Sequence, residues 1–223
     1  MRPPPTTLSF LYWENVRYFV FVMMKKRTLE IALEKLAKPT DPKPELEQYT
    51  TPADIAADML WVALSFGDIQ GKKVADLGCG GGILGIGAAL VGASSVVCYD
   101  SDPGMIPLVY SNSEAAKVKV EAICSEVRSI ESRFDTVVQN PPFGAQNPGA
   151  DRPFLMAAIR ISDVAYSLHL AETTEFVAKF CKSQKTEVQH IKNYKFKIPF
   201  MFEFHTKPAE FIDVALLRII VNR

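Results

Sequence analysis

The chain has 223 residues, 48% of them hydrophobic and 22% charged, which suffices for one domain with a full core and leaves little room for a second. Its 25 basic and 25 acidic residues cancel, so bulk charge does not announce a nucleic-acid binder, although a neutral chain can still carry a local basic patch. Four cysteines, Cys79, Cys98, Cys124 and Cys181, include no C-x-x-C pair and no Cys/His cluster with zinc spacing; the chain reads as reduced and cytoplasmic, with no metal site of its own.

Residues 8–24 are aromatic and apolar but are interrupted by Glu14, Asn15 and Arg17, and the uncharged run 18–24 is far below the roughly 20 residues that span a bilayer. Met24 opens an amphipathic pattern, so residues 1–23 read as an extension, either a mis-set start or a sticky arm in preference to a membrane anchor, and 24–223 as one domain. Leu29, Ile31, Leu33 and Leu36 give a helical stripe, and prolines 39, 42 and 44 end it. Residues 53–66 repeat apolar side chains at helical spacing, with Thr51 as N-cap, Pro52 in the first turn and Trp61 in the core.

From Gly71 the pattern changes to short apolar strands separated by helices. Strands are expected at 73–77, 94–99, 118–124, 134–139 and 165–170, with helices over 83–92, 103–117, 154–162 and 172–184. Alternating patterns at 194–204 and 211–221, joined by a turn at 207–210, close the chain. This order predicts an α/β fold, a seven-stranded, mostly parallel sheet with helices on both faces and antiparallel C-terminal strands. Cys98 and Cys124 lie in apolar runs and read as buried small hydrophobes.

Two motifs carry chemistry. The first is Asp76-Leu-Gly-Cys-Gly-Gly-Gly82, between a strand and a helix. Glycines there permit positive φ and close approach of a ligand, and the helix beyond offers free amides. The spacing does not fit the pyrophosphate fingerprint G-x-G-x-x-G. It fits D-x-G-x-G-x-G, a pattern for S-adenosylmethionine, whose ammonium seeks an acid or carbonyls and whose carboxylate seeks amides. Asp100, at the end of the second strand, can accept both ribose hydroxyls, and Glu126, beyond the third, can reach the adenine amine. The competing reading is a tight strand–helix turn with Asp100 as a turn residue.

The second motif, Asn140-Pro141-Pro142-Phe143, directly follows the fourth strand, at the edge where ligands of open α/β sheets sit. An exocyclic adenine amine is a poor nucleophile. The Asn140 side-chain oxygen and the Pro141 carbonyl can hold its two N–H bonds and stabilise developing positive charge, Pro142 stiffens the backbone, and the Phe143 ring can stack an extruded base. The alternative is an Asn-Pro turn followed by a core phenylalanine.

DLGCGGG, NPPFG, DRPFL and YSLHL, preceded by LEQYTTP, together resemble the small-subunit ribosomal RNA adenine-N6 methyltransferases, the methyltransferase-like-five family of eukaryotes and its archaeal relatives; the resemblance runs from about residue 24 to the C-terminus. It implies a Rossmann-like methyltransferase fold and S-adenosyl-L-methionine as cofactor. Gln48 and Thr51 are expected on the cofactor from the N-terminal side, with Asp76, Gly78, Gly80, Gly81 and Ile83 along the glycine turn, Asp100 on the ribose and Glu126 near the adenine, where the family has aspartate. Asn140 to Phe143 carry over as the catalytic tetrapeptide. The resemblance also implies ribosomal RNA as substrate and a small zinc-containing activator protein that covers an apolar strand edge.

Residues 182–197 hold five lysines and one glutamate; with Tyr194 and Phe196 interleaved they fit either an RNA-following face or an ordinary solvated strand. Arg152 is a candidate phosphate contact, or a partner of Asp151. His169, His190 and His205 are scattered and read as structural or surface groups. Two other functions remain on the sequence alone: a protein glutamine N5-methyltransferase, which uses a similar clamp, and a silent cofactor-binding scaffold.

Overall fold

The computed structural model describes residues 25–43, 46–144, 147–199 and 209–222. The expectations for residues 1–23, for His205 and for the strand end at 200–204 lie outside the described residues. Seven strands form one sheet in the order β3-β2-β1-β4-β5-β7-β6: β1 (Lys73–Leu77), β2 (Ser95–Asp100), β3 (Glu121–Cys124), β4 (Thr136–Gln139), β5 (Val164–Leu170), β6 (Thr186–Pro199) and β7 (Ala209–Val221). The first five strands pair in parallel, and β7 runs antiparallel to both β5 and β6.

Helices lie on both faces: α1 (Lys26–Glu34), α2 (Ala53–Ser65), α3 (Ile83–Leu90), α4 (Met105–Ala115), α5 (Arg152–Ile161) and α6 (Thr174–Ser183). Strand periodicity divides the core in two. Val74 of β1 packs in one cluster with Leu29, Leu60 and Ile86 of α1, α2 and α3, while its neighbours Ala75 and Leu77 face the other with Leu155 of α5 and Val177 of α6. Close approach of α3 to the sheet depends on Gly85, where a Cβ would stand 2.5 Å from Cys98 Sγ. Asp58 of α2 ties three elements together, accepting Lys26 Nζ of α1 at 2.6 Å and Lys192 Nζ and Tyr194 Oη of β6 at 2.5 and 2.9 Å.

Several local expectations are corrected. The third strand begins at Glu121, three residues later than the apolar run, and the fourth at Thr136. Thr51 does not cap α2, which begins at Ala53 after Pro52 with no side-chain cap; its hydroxyl is engaged elsewhere. Cys124, at the end of an edge strand, is exposed, because no further strand covers it. Trp61 is only half-buried. No helix among the described residues is long and apolar enough to cross a membrane.

The topology fixes where a ligand can sit. From β1 the chain winds outward to β2 and β3, then returns to place β4 on the other side of β1. At that switch point the loops after β1 and β4 diverge to opposite faces and leave a crevice at the strand ends.

Candidate active site

The loops after β1, β2, β3 and β4 all open into one cavity of about 600 Å³, a size suited to a nucleoside-sized ligand. Its lining includes Gln48, Thr51, Asp76, Gly78, Gly80, Gly81, Ile83, Asp100, Glu126, Asn140 and Pro142. Pro141 is buried and Phe143 is half-buried against Tyr49 and Phe196; neither is among the lining residues.

The glycine turn is shaped by its backbone. Gly78 has φ 67°, and a Cβ there would stand 2.9 Å from the Phe154 ring, so any other residue meets both strain and a clash. The amides of Gly78 and Cys79 hook the turn onto β2 by donating to the Tyr99 carbonyl, each at 2.9 Å. Asp76, 1% exposed, accepts the Gly85 N–H at 2.8 Å. Burial raises its carboxyl to about 7, the Gly85 bond opposing and the Asp100 charge reinforcing the rise.

Asp100 does two things. Its Oδ2 accepts the Gly80 N–H at 2.8 Å and its Oδ1 the Asp102 N–H at 2.9 Å, so it braces the turn while facing the cavity. Burial raises its pKa, with those N–H groups opposing the rise. Gln48 reaches the cavity rim, donating to Asp102 Oδ2 at 2.9 Å and accepting the Lys43 N–H at 2.8 Å; the bonds from Gln48 and Lys43 hold Asp102 down at about 2.

Asn140 is held in one orientation. Its Nδ2 donates to Thr51 Oγ1 at 3.0 Å, which leaves Oδ1 buried with no partner among the described residues. A buried amide oxygen without a donor is costly, and this one belongs to a residue lining the cavity. Thr51 therefore orients the asparagine, a role its place in LEQYTTP did not reveal.

Sequence reasoning also missed Glu47. It sits at φ 49° and is 6% exposed, and its Oε2 accepts the Phe143 and Gly144 N–H groups at 2.7 and 3.1 Å and the Tyr49 hydroxyl at 3.1 Å. Burial, then the Glu47 charge, push the Tyr49 phenol far above its ordinary value. The Tyr49 ring lies 5.3 Å from that of Phe143, with Phe196 set edge-on to both. The EQY segment thus clamps the loop after β4. On the far side, a buried chain runs from Asp151 through His169 and Ser167 to Gln139, next to Asn140, at 3.4, 2.7 and 3.0 Å. Ser167 is fully buried, so this Ser-His-Asp set supports the loop and does not meet a substrate.

His190 is exposed and bonded to Asn193, and no cluster of possible metal ligands exists among the described residues. Of the lysines in 182–197, Lys192 and Lys195 pair with Asp58 and Asp213.

The lining fits S-adenosylmethionine: the glycine turn allows close approach of the methionine end, the Asp76 and Asp100 carboxyls suit an ammonium and ribose hydroxyls, and Ile83 is an apolar wall. A seven-stranded sheet of this topology, with such a turn after β1 and an NPPF loop after β4, defines an S-adenosylmethionine-dependent methyltransferase. The family model of the methyltransferase small domain matches residues 50–164. The chain is 37% identical to the zebrafish (Danio rerio) rRNA N(6)-adenosine-methyltransferase METTL5, covering 87% of this chain and 98% of that one. It is 34% identical to Mettl5 of Drosophila melanogaster, covering 87% and 96%. A crystal structure of a Pyrococcus horikoshii protein superposes with a TM-score of 0.84 at 44% identity, covering 90% of this chain and all of that one. The chain belongs to the METTL5 family of rRNA adenosine-N6 methyltransferases.

Proposed function

We propose that this protein transfers a methyl group from S-adenosylmethionine to the N6 amine of an adenosine in small-subunit ribosomal RNA, and that it acts in the cytoplasm. The observation that carries the reading is Asn140 itself, a residue lining the reaction cavity whose Nδ2 is fixed by Thr51 and whose Oδ1 is left buried without a partner among the described residues. In this reading Asn140 Oδ1 and the Pro141 carbonyl accept the two N–H bonds of the amine. That turns the nitrogen lone pair toward the transferred carbon and holds the charge that develops on nitrogen. S-adenosylmethionine supplies an electrophilic methyl on a sulfonium. As the N–C bond forms, the S–C bond breaks, S-adenosylhomocysteine leaves, and the amine releases one proton to water, so no strong base is needed.

Pro142 and the Glu47 clamp keep the loop rigid. Phe143, whose ring is packed between Tyr49 and Phe196, stiffens the loop. Asp76, Gly78, Gly80, Gly81 and Ile83 hold the methionine end, Asp100 the ribose and Glu126 the adenine of the cofactor, with Gln48 closing the rim. Residues 24–223 form the working domain. A small zinc-containing activator protein completes the enzyme; this rests on the family resemblance and on the open outer edge of β3.

Asn140→Ala tests the reading. It removes one of two acceptors from the amine, so methyl transfer falls by about 100-fold or more, while cofactor affinity measured by calorimetry stays within about threefold. Wild-type transfer by the alanine variant would contradict it.

A further inference from the structure

The reaction cavity does not end at the catalytic loop. Through Arg128 and Pro153 it adjoins a second cavity of about 490 Å³ along α5. Three arginines line this one, Arg128, Arg152 and Arg160, with Met156 and Phe180 as its apolar side and no carboxylate in the lining. In a chain of zero net charge, such a one-signed cavity beside the site attracts an anionic occupant.

The arginines are not equivalent. Arg160 is a wall element: its guanidinium donates to the carbonyls of Val127, Arg128 and Ile130 and so fixes the turn after β3. Arg152 starts α5, and its guanidinium lies 5.0 Å over the Phe176 ring, with no carboxylate within ion-pairing distance among the described residues; Asp151 is turned instead toward His169. The ring fixes the guanidinium plane and leaves its N–H edges available. Arg128 is exposed at the junction of the two cavities, and its guanidinium likewise has no acidic partner among the described residues.

We propose that this arginine cavity holds the sugar–phosphate backbone of the RNA segment next to the target adenosine, with Arg152 and Arg128 as phosphate contacts; this rests on the RNA reading above. A planar guanidinium fork matches two phosphate oxygens. The apolar side formed by Met156 and Phe180 suits a ribose or a neighbouring base. Contiguity with the reaction cavity lets one strand enter along α5 and place its base at Asn140. The lysine-rich stretch of β6 is the weaker candidate, because Lys192 and Lys195 are already neutralised by Asp58 and Asp213.

Steady-state methylation of a small-subunit ribosomal RNA fragment by the full chain, with its activator if required, measures this at several salt concentrations for wild type, Arg152→Gln and Arg152→Lys. Expected is a rise of about fivefold or more in KM for RNA with Arg152→Gln, a log–log salt slope smaller by about 0.7, and retention of most of that slope by Arg152→Lys. Unchanged cofactor affinity shows the Gln variant to be folded. A Gln variant with wild-type KM and wild-type slope overturns the cavity assignment while leaving RNA methylation standing. No wild-type transfer to RNA, with transfer to a protein glutamine instead, overturns the functional reading itself.

Discussion

Glu47 offers the sharpest test of how the catalytic loop is held. Its Oε2 accepts two loop amides and a tyrosine hydroxyl, and it does so from a left-handed backbone, φ 49°. Glu47→Gln keeps the length, the backbone strain and one acceptor oxygen, but removes the charge. A hydrogen bond to a charged acceptor contributes about 1.5–3 kcal/mol against 0.5–1.5 for a neutral one, so the loop loses about 1–2 kcal/mol. If that order is needed in the transition state, the rate falls about 5- to 30-fold. Glu47→Ala takes the side-chain acceptor from the Gly144 amide and leaves the Phe143 amide only the Tyr49 hydroxyl at 3.2 Å, at about 1–3 kcal/mol, and slows the step further. Tyr49→Phe removes one neutral donor to Glu47 and the longer of two acceptors of the Phe143 N–H, keeps the ring against Phe143, and stays within a few-fold of wild type. Single-turnover methyl transfer at saturating cofactor and RNA reads the step directly, with urea unfolding to separate loop order from global stability. A Glu47→Ala variant that transfers at the wild-type rate would refute the clamp.

Other outcomes follow from the same contacts. Asp76, raised to about 7 by burial, is neutral below that pH and anionic above it, so affinity for the cationic cofactor tightens from pH 6 to pH 8, and Asp76→Asn flattens the profile in calorimetric titrations. For the ligand-free protein the sign is opposite: the folded pKa lies above the unfolded value, so the contribution of Asp76 to stability is full below about pH 4 and is lost as pH rises toward 7, read as urea midpoints at pH 5 and 7.5. Gly78→Ala meets both positive φ and the Phe154 ring, and weakens cofactor binding by about tenfold or more in the same titration. Asp68 accepts Tyr166 Oη at 2.7 Å and Arg218 Nε at 2.9 Å, both mostly buried; Asp68→Ala leaves the Arg218 charge with only the neutral Tyr166 and Gln189 oxygens and lowers unfolding free energy by about 3 kcal/mol in urea, with cofactor affinity retained.

The sheet was legible because buried strands and amphipathic helices leave different periods, and β1 to β5 each carry an apolar run bounded by turn residues. Both motifs were legible because each is contiguous and topology alone carries it to the switch point. Strand starts were not: Val118 and Val120 before Glu121, and Phe134 before Thr136, extend the apolar pattern but lie outside the hydrogen-bonded ladder. Residues that act across long separations were also hidden. Glu47 meets the loop 96 positions away and Thr51 meets Asn140 across 89, and neither partnership leaves a local pattern. Thr51 before Pro52 looks like a helix cap, yet Asn140 claims its hydroxyl. Whether the lysines of 182–197 form an RNA face or a solvated strand stayed open in the sequence because two of their partners, Asp58 for Lys192 and Asp213 for Lys195, lie 134 and 18 positions away.

The most direct measurement is nucleoside analysis of unmodified small-subunit ribosomal RNA after incubation with the protein and radiolabelled S-adenosylmethionine, with and without the proposed activator. Label is expected as N6-methyladenosine at one position, abolished by Asn140→Ala. Label recovered in protein glutamine, or no transfer by a chain that binds the cofactor, would contradict this expectation.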